Sequence, residues 1–171
     1  NLKVDASKKP VNFNGLSNYT NKQKLALLNF MGYSEPAATT VTDGAVLTST
    51  KDNFLKNIGG VLHSIPQLIT KKVAVDAAGR FDVSQRTDHL LYGSMDGALH
   101  ILDDSTGKEV FTFIPKQILD LQPDAISSKG TAKDGSYPYG VDGPWLTYVS
   151  YTNKSTTTGT GSAATTVNTY E

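Results

Sequence analysis

Histidine is the side chain best suited to moving a proton near neutral pH or to holding a metal, and the sequence offers His63, His89 and His100. Their spacing supports neither role. No HExxH pattern occurs, and His63 and His100 each lie among apolar residues, so both are expected as hydrogen-bonded structural histidines. Ser64 follows His63, which sets a nucleophile beside a base in sequence. Neighbouring residues of a strand point to opposite faces, however, and two such side chains cannot form a catalytic dyad. Gly93-Ser94-Met95-Asp96-Gly97 approaches the serine elbow of hydrolases, but that elbow needs a helix after the serine and here a second strand follows. A structural turn is the expectation. Asp142-Gly143-Pro144, next to Trp145, is placed either to face a ligand or to start a turn, and turn chemistry explains these residue types better.

Calcium demands about six to eight oxygens, several from carboxylates at alternate positions with a glycine at the bend. The nearest match, Asp103-Asp104-Ser105-Thr106-Gly107, has two adjacent acids and reads as a tight turn. No metal or cofactor site is therefore expected within these residues. The absence of cysteine removes thiolate catalysis, disulfides and cysteine-ligated zinc or iron–sulfur centres. Sixteen basic residues balance sixteen acidic ones, so there is no electrostatic footprint for a nucleic acid or an anionic membrane. The adjacent pairs Lys8-Lys9 and Lys71-Lys72 are expected as solvated surface charge. No apolar run approaches the ~20 residues of a membrane-spanning helix.

These side chains must be held by a mainly β framework. At 171 residues the chain has the size of one domain, and 15 glycines, 7 prolines and many serines and threonines favour strands and turns over long helices. Residues 1–60 read as a lead-in with one or two short helices. Thr20 and Gln23 make a capping box for a helix whose apolar stripe is Leu25, Leu27, Leu28, Phe30 and Met31, stopped at Gly32. Thr50 opens a second helical turn with Phe54, Leu55 and Ile58, ended by Gly59 and Gly60.

Residues 61–151 read as blade-like strands. A strand over residues 61–65 meets Pro66, which puts it at an edge or bulge, and Val73-Ala74-Val75 continues the strand character. Residues 88–115 contain three strands and two turns, at Asp96-Gly97 and at residues 104–107, and so predict an antiparallel meander. Ile118, Leu119 and Leu121 mark a short amphipathic segment. Residues 145–151 alternate in the manner of an inner strand. Residues 152–165, nearly all Ser, Thr, Gly and Ala, read as a flexible loop, and residues 166–171 as one strand of a hairpin whose partners lie further along the chain.

The order of motifs within this framework resembles a known family. The strand, DG turn, strand ending at Asp103, then Thr106-Gly107 and a third strand resemble the blade of quinoprotein-like propellers. Three further segments narrow the likeness: Gly60-Val61-Leu62-His63-Ser64-Ile65-Pro66, Phe111-Thr112-Phe113-Ile114-Pro115 and Tyr139-Gly140-Val141-Asp142-Gly143-Pro144. In this order they resemble the C-terminal propeller domain of PilY1/PilC-type proteins of the type IV pilus tip. The motif residues that carry the resemblance are His63, Ser64, Pro66, Asp96, Gly97, Asp103, Thr106, Gly107, Asp142 and Gly143.

The resemblance implies an exported, non-catalytic adhesin and pilus-assembly factor at the cell surface, pilus tip or outer membrane of a Gram-negative bacterium. Pilus extension, twitching motility, attachment and in some bacteria DNA uptake would depend on it. Implied partners are minor pilins, a host or abiotic surface and the remaining blades of the same propeller. About 40–50 residues per blade leave this chain with too few for a closed ring of four to eight. The family commonly carries a calcium loop, which the resemblance leaves to the rest of the domain. Two other readings share the blade motif. A pyrroloquinoline-quinone dehydrogenase would need calcium-binding carboxylates and a cysteine pair or tryptophan floor beneath the quinone, and this sequence has no cysteine and one tryptophan. A propeller scaffold of the outer membrane would lack the segments around Pro66 and Asp142.

Overall fold

The structure is a computed structural model and describes residues 2–34, 40–45, 47–49, 60–126 and 140–171. It is mainly β. The lead-in forms a two-residue antiparallel ladder between β1 (Lys3–Val4) and β2 (Pro10–Val11), then helix α1 (Asn21–Phe30). A second small ladder pairs β3 (Tyr33–Ser34) with β4 (Thr48–Ser49). The main sheet contains β5 (Gln67–Val75), β6 (Phe81–Gly93), β7 (Leu99–Asp103), β8 (Glu109–Phe113), β9 (Asn153–Thr158) and β10 (Thr165–Tyr170). Helices α2 (Lys116–Leu121) and α3 (Pro123–Ile126) follow β8.

All neighbours in the main sheet are antiparallel, in the order β8-β7-β6-β5-β10-β9. Strands β6 to β8 form the meander that the two glycine-closed turns predicted, and β5 joins it as a fourth consecutive neighbour. Gly97 and Gly107 do supply positive φ, at 98° and 66°. The register slips between Thr70 and Lys72, between Val73 and Ala74, and between Ile101 and Leu102. Such bulges bend a strand and sharpen its twist, and the sheet curls into a half-barrel. Separate four-stranded blades are not seen among the described residues.

The helix starts where the sequence placed it. The Thr20 hydroxyl accepts from Gln23 N, and the Gln23 side chain accepts from Thr20 N. Gln23 is itself buried, and its amide nitrogen donates to Leu119 O at 3.1 Å and to Asp120, which ties α1 to α2. Phe13, Leu27, Leu28, Val41, Leu47, Ile118, Leu119 and Ile126 close the main core around this link. The core thus sits under the helices, beside the Leu91–Ala98 end of the sheet, while the Phe81 end stands in solvent. The predicted helical turn over residues 50–59 lies outside the described residues.

Four expectations about strands are corrected. Residues 61–65 are not a strand, and Pro66 does not interrupt one; β5 begins after it, at Gln67. Residues 145–151 carry the strand pattern but no regular structure, since no strand lies beside them among the described residues. The polar stretch expected as a flexible loop instead forms β9 and a single 3-10 turn at Gly161–Ala163. Threonine hydroxyls and amides supply what apolar side chains do not: Thr157 Oγ1 meets Thr166 Oγ1 at 2.9 Å, and Ser155 Oγ donates to Asn168 at 2.6 Å. Finally, β10 finds both partners within the chain, in β5 and β9.

One turn design appears twice. Asp76 Oδ1 accepts from Ala78 N and Arg80 N, with Gly79 at φ 79°. Asp5 Oδ1 accepts in the same way from Ser7 N and Lys9 N, but the position equivalent to Gly79 is Lys8, at φ 58°. A side chain in the left-handed region is strained where glycine is not. Lys8→Gly is expected to stabilise the protein by about 0.5–1 kcal/mol, a rise of about 1–4 °C in thermal unfolding followed by circular dichroism. Gly79→Lys should lower stability by a similar amount.

Candidate functional site

The motif residues separate into one joined cluster and one remote turn. Asp142 is the centre of the cluster. Its carboxylate is only 4% exposed and accepts three successive backbone N–H groups: Leu62 and His63 at 2.9 Å on Oδ2, and Ser64 at 2.8 Å on Oδ1. His63 Nδ1 lies 3.2 Å from Oδ2. Successive N–H groups of a strand point to opposite sides, so three of them converging on one carboxylate require the chain to leave the strand conformation here. That is why residues 61–65 are irregular.

Asp142 is accordingly an acceptor that gathers a loop, and the expected turn at Asp142-Gly143-Pro144 is only a bend at Gly143. Burial pushes the Asp142 carboxyl up, but the N–H groups of His63, Ser64 and Leu62, with the His63 ring, outweigh it and hold the group below its ordinary value.

Ser64 carries the connection into the sheet. Its buried hydroxyl accepts from Gly93 N at 2.9 Å, at the end of β6. Two further main-chain bonds join the same place: Met95 N donates to Gly60 O at 2.9 Å, and Val141 N donates to Ser94 O at 3.1 Å. The approach is close enough that a Cβ on Gly93 would lie 2.0 Å from Val141 O, and one on Gly140 would lie 2.4 Å from Met95 Cα. Trp145 covers the junction, its indole N–H donating to Val141 O at 3.1 Å. His63, Met95 and residues 140–145 line an open cleft of about 540 Å³. His63 is hydrogen-bonded, as expected, through its ring to Asp142, but it is largely exposed and so forms part of the rim.

A second network lies just beneath, in residues that sequence reasoning left unconnected. The Ser94 hydroxyl sits among the Asp96 carboxylate, Ala98 O at 3.0 Å and His100 Nε2 at 3.2 Å, and His100 Nδ1 lies 2.7 Å from Glu109 Oε1. Serine, histidine and glutamate thus stand in the order of a proton relay. Ser94 is fully buried, however, and its oxygen offers no face to a substrate carbon. The network instead binds the Asp96-Gly97 turn to β7 and β8.

The His100 ring packs against two others, Tyr92 stacked at 5.0 Å and Phe30 tilted at 6.0 Å between ring centroids. The expectation of a hydrogen-bonded structural histidine holds for it. Burial raises Glu109, but hydrogen bonds from His100 and Thr112 and the histidine's charge bring it below its usual value. Tyr92 is raised by burial, then by Glu109 and Asp96. The position of His100 and Glu109 on two strands joined by one tight turn was the one sequence signal for this pair.

Asp103, Thr106 and Gly107 lie at the far end of β7 and belong to neither network. Asp103 Oδ1 accepts from Ser105 Oγ, Thr106 N and Thr106 Oγ1 at 2.7–2.9 Å, and these three bonds lower its pKa to about 2. All three lie within the turn, as the turn reading expected. Pro66 is exposed and serves to end the gathered loop before β5. Among the described residues no group of three or more potential ligands could hold a metal ion. No known protein family, curated protein or solved structure matches this chain.

Two outcomes test the junction. Asp142→Ala should cost about 2–4 kcal/mol in chemical denaturation, because it strands three donors. The depressed carboxyl contributes stability above the unfolded value of about 4, which is lost as pH falls through the lower folded value. The stability difference between wild type and Asp142→Asn should therefore be full at neutral pH and vanish in acid; a difference that persists unchanged at low pH would count against the carboxylate's charge.

Proposed function

We propose that the protein is a non-catalytic part of a type IV pilus tip adhesin and assembly factor, exported to the surface of a Gram-negative bacterium. The observation that carries this reading is the Asp142 junction. Two of the segments on which the resemblance rests, those containing Leu62-His63-Ser64 and Val141-Asp142-Gly143, are about 80 residues apart and meet at one carboxylate. Two segments that stand in the order the resemblance gives and also interlock through one buried carboxylate are what a single structural unit would need.

The propeller reading has a narrower support. Strands β5 to β8 form a four-stranded antiparallel meander of sequential neighbours, which is the make-up of a single blade. Completing a ring would fall to further blades of the same polypeptide. The buried hydrogen-bond networks around Ser94 and Asp142 then act as scaffolding, and contact with minor pilins or a surface is made by exposed loops. Calcium, if the domain uses it, would be held outside the residues described.

Deletion of the gene is expected to abolish or sharply reduce surface pili, twitching and attachment, with restoration by the wild-type gene. Complementation with the Asp142→Ala variant should restore these only in part, in step with its lower folded population. Normal piliation, motility and attachment in the deletion strain would end this reading.

A further inference from the structure

Four side chains form an unbroken line of contacts: Asp96 to Ser94, Ser94 to His100, and His100 to Glu109. Ser94 is sealed from solvent, His100 is buried and Asp96 is 8% exposed. Every contact joins two atoms that can each accept a hydrogen bond, so every contact needs a proton between its atoms. The side chains bring too few. A serine hydroxyl carries one proton, a neutral imidazole carries one, and an ionised carboxylate carries none. Two protons cannot fill three contacts.

The hydroxyl cannot serve both of its neighbours. Ser94 Oγ meets the Asp96 carboxylate and, at 3.2 Å, His100 Nε2, and it has a single proton to give. Ala98 O lies 3.0 Å away but already accepts from Ser94 N at 2.9 Å, so it does not depend on the hydroxyl. If the hydroxyl donates to Asp96, Nε2 must carry a proton of its own; if it donates to Nε2, Asp96 must. A contact without a proton would set two lone pairs face to face at an oxygen that water does not reach.

We propose that Asp96, Ser94, His100 and Glu109 together hold one proton more, from neutral to mildly alkaline pH, than the same side chains carry in the unfolded protein. The proton belongs to the line of groups as a whole, and rests on the imidazole or on Asp96 according to which way the hydroxyl turns. Electrostatics favour it, since it offsets one of the two carboxylate charges that flank the ring. The other groups around His100 do not replace it. Tyr92 stacks on the ring from β6, and burial raises its hydroxyl above the ordinary value and keeps it neutral here. Helix α1 presents Phe30, which does not titrate. Lys108 and Tyr19 line the cavity beside the ring, and among the described residues neither is bonded to the network. The proton acts as a clasp. The turn it secures also gives Met95 N to Gly60 O and takes Val141 N on Ser94 O, so its loss would loosen the Asp142 junction.

This inference does not depend on the pilus reading, because it is tested on the purified chain. Histidines of the unfolded chain lose their protons above about pH 6.5, while the folded network keeps one. The contribution is therefore fully present below that value and is lost as pH rises, with the folding constant falling about tenfold per pH unit. Unfolding the wild type with guanidinium in unbuffered solution at about pH 8 should release about one proton per chain, counted by titration. Glu109→Gln and Asp96→Asn each place an amide donor at an end of the line, which fills three contacts without an extra proton, so folded protein of either variant should release none. Within the folded wild type, the carbon-13 signals of the His100 ring and the Asp96 carboxyl should stay unchanged between about pH 6.5 and 8. No release from the wild type, the same release from either folded amide variant, or deprotonation of these two side chains within that range would each overturn the proposal. If the variants do not fold, the two wild-type measurements decide it.

Discussion

A single carboxylate organises this molecule. Asp142 takes three consecutive backbone N–H groups that no sheet partner serves, and in doing so forces residues 62–64 out of the strand conformation their composition favours. The bent loop then presents the Ser64 hydroxyl to Gly93, which fixes the loop against the end of β6. Remove the acceptor and the donors lose their common partner, while the glycines that permit the close approach no longer serve a purpose. The charge of Asp142 is favoured in spite of burial because its solvation is replaced by fixed dipoles.

Around that junction the fold divides its labour. Apolar burial is concentrated under α1, α2 and α3, where Phe13, Leu28 and Leu119 are sealed from solvent. The sheet contributes little to this core except at the end near Gly93 and Ala98. Much of the rest is held by main-chain ladders and side-chain hydrogen bonds. The β9–β10 hairpin is the extreme case, with Thr–Thr and Ser–Asn pairs across it and Glu171 bridging Lys72 and Lys154. Those two lysines hold the Glu171 carboxyl at about 2. A polar hairpin of this kind has its register fixed by hydrogen bonds and charge, since no hydrophobic face is present to fix it.

The buried Ser94–His100–Glu109 chain illustrates why residue identity and order are poor guides to chemistry. The same three groups that would relay a proton in a hydrolase here satisfy one another's hydrogen-bonding capacity around a serine sealed from solvent. Access distinguishes the two cases. Ser94 has none, and the buried His100 ring lies against Tyr92 and Phe30.

Features encoded over a few residues were legible in the amino-acid order. The capping box at Thr20 and Gln23, the stop at Gly32, the DG hairpin and the glycine-closed turn after Asp103 all form as read, because each depends on contacts no more than about one turn away. The β6–β8 meander follows from those turns. Features that depend on partners far along the chain emerged only once it was folded. Asp142 read as a turn residue because its donors lie about 80 positions earlier. Residues 61–65 and 145–151 read as strands because composition reports the capacity to pair, whereas a strand exists only where a second one lies beside it. Residues 152–158 read as loop for the converse reason: their threonines bury nothing, yet β10 supplied the missing edge.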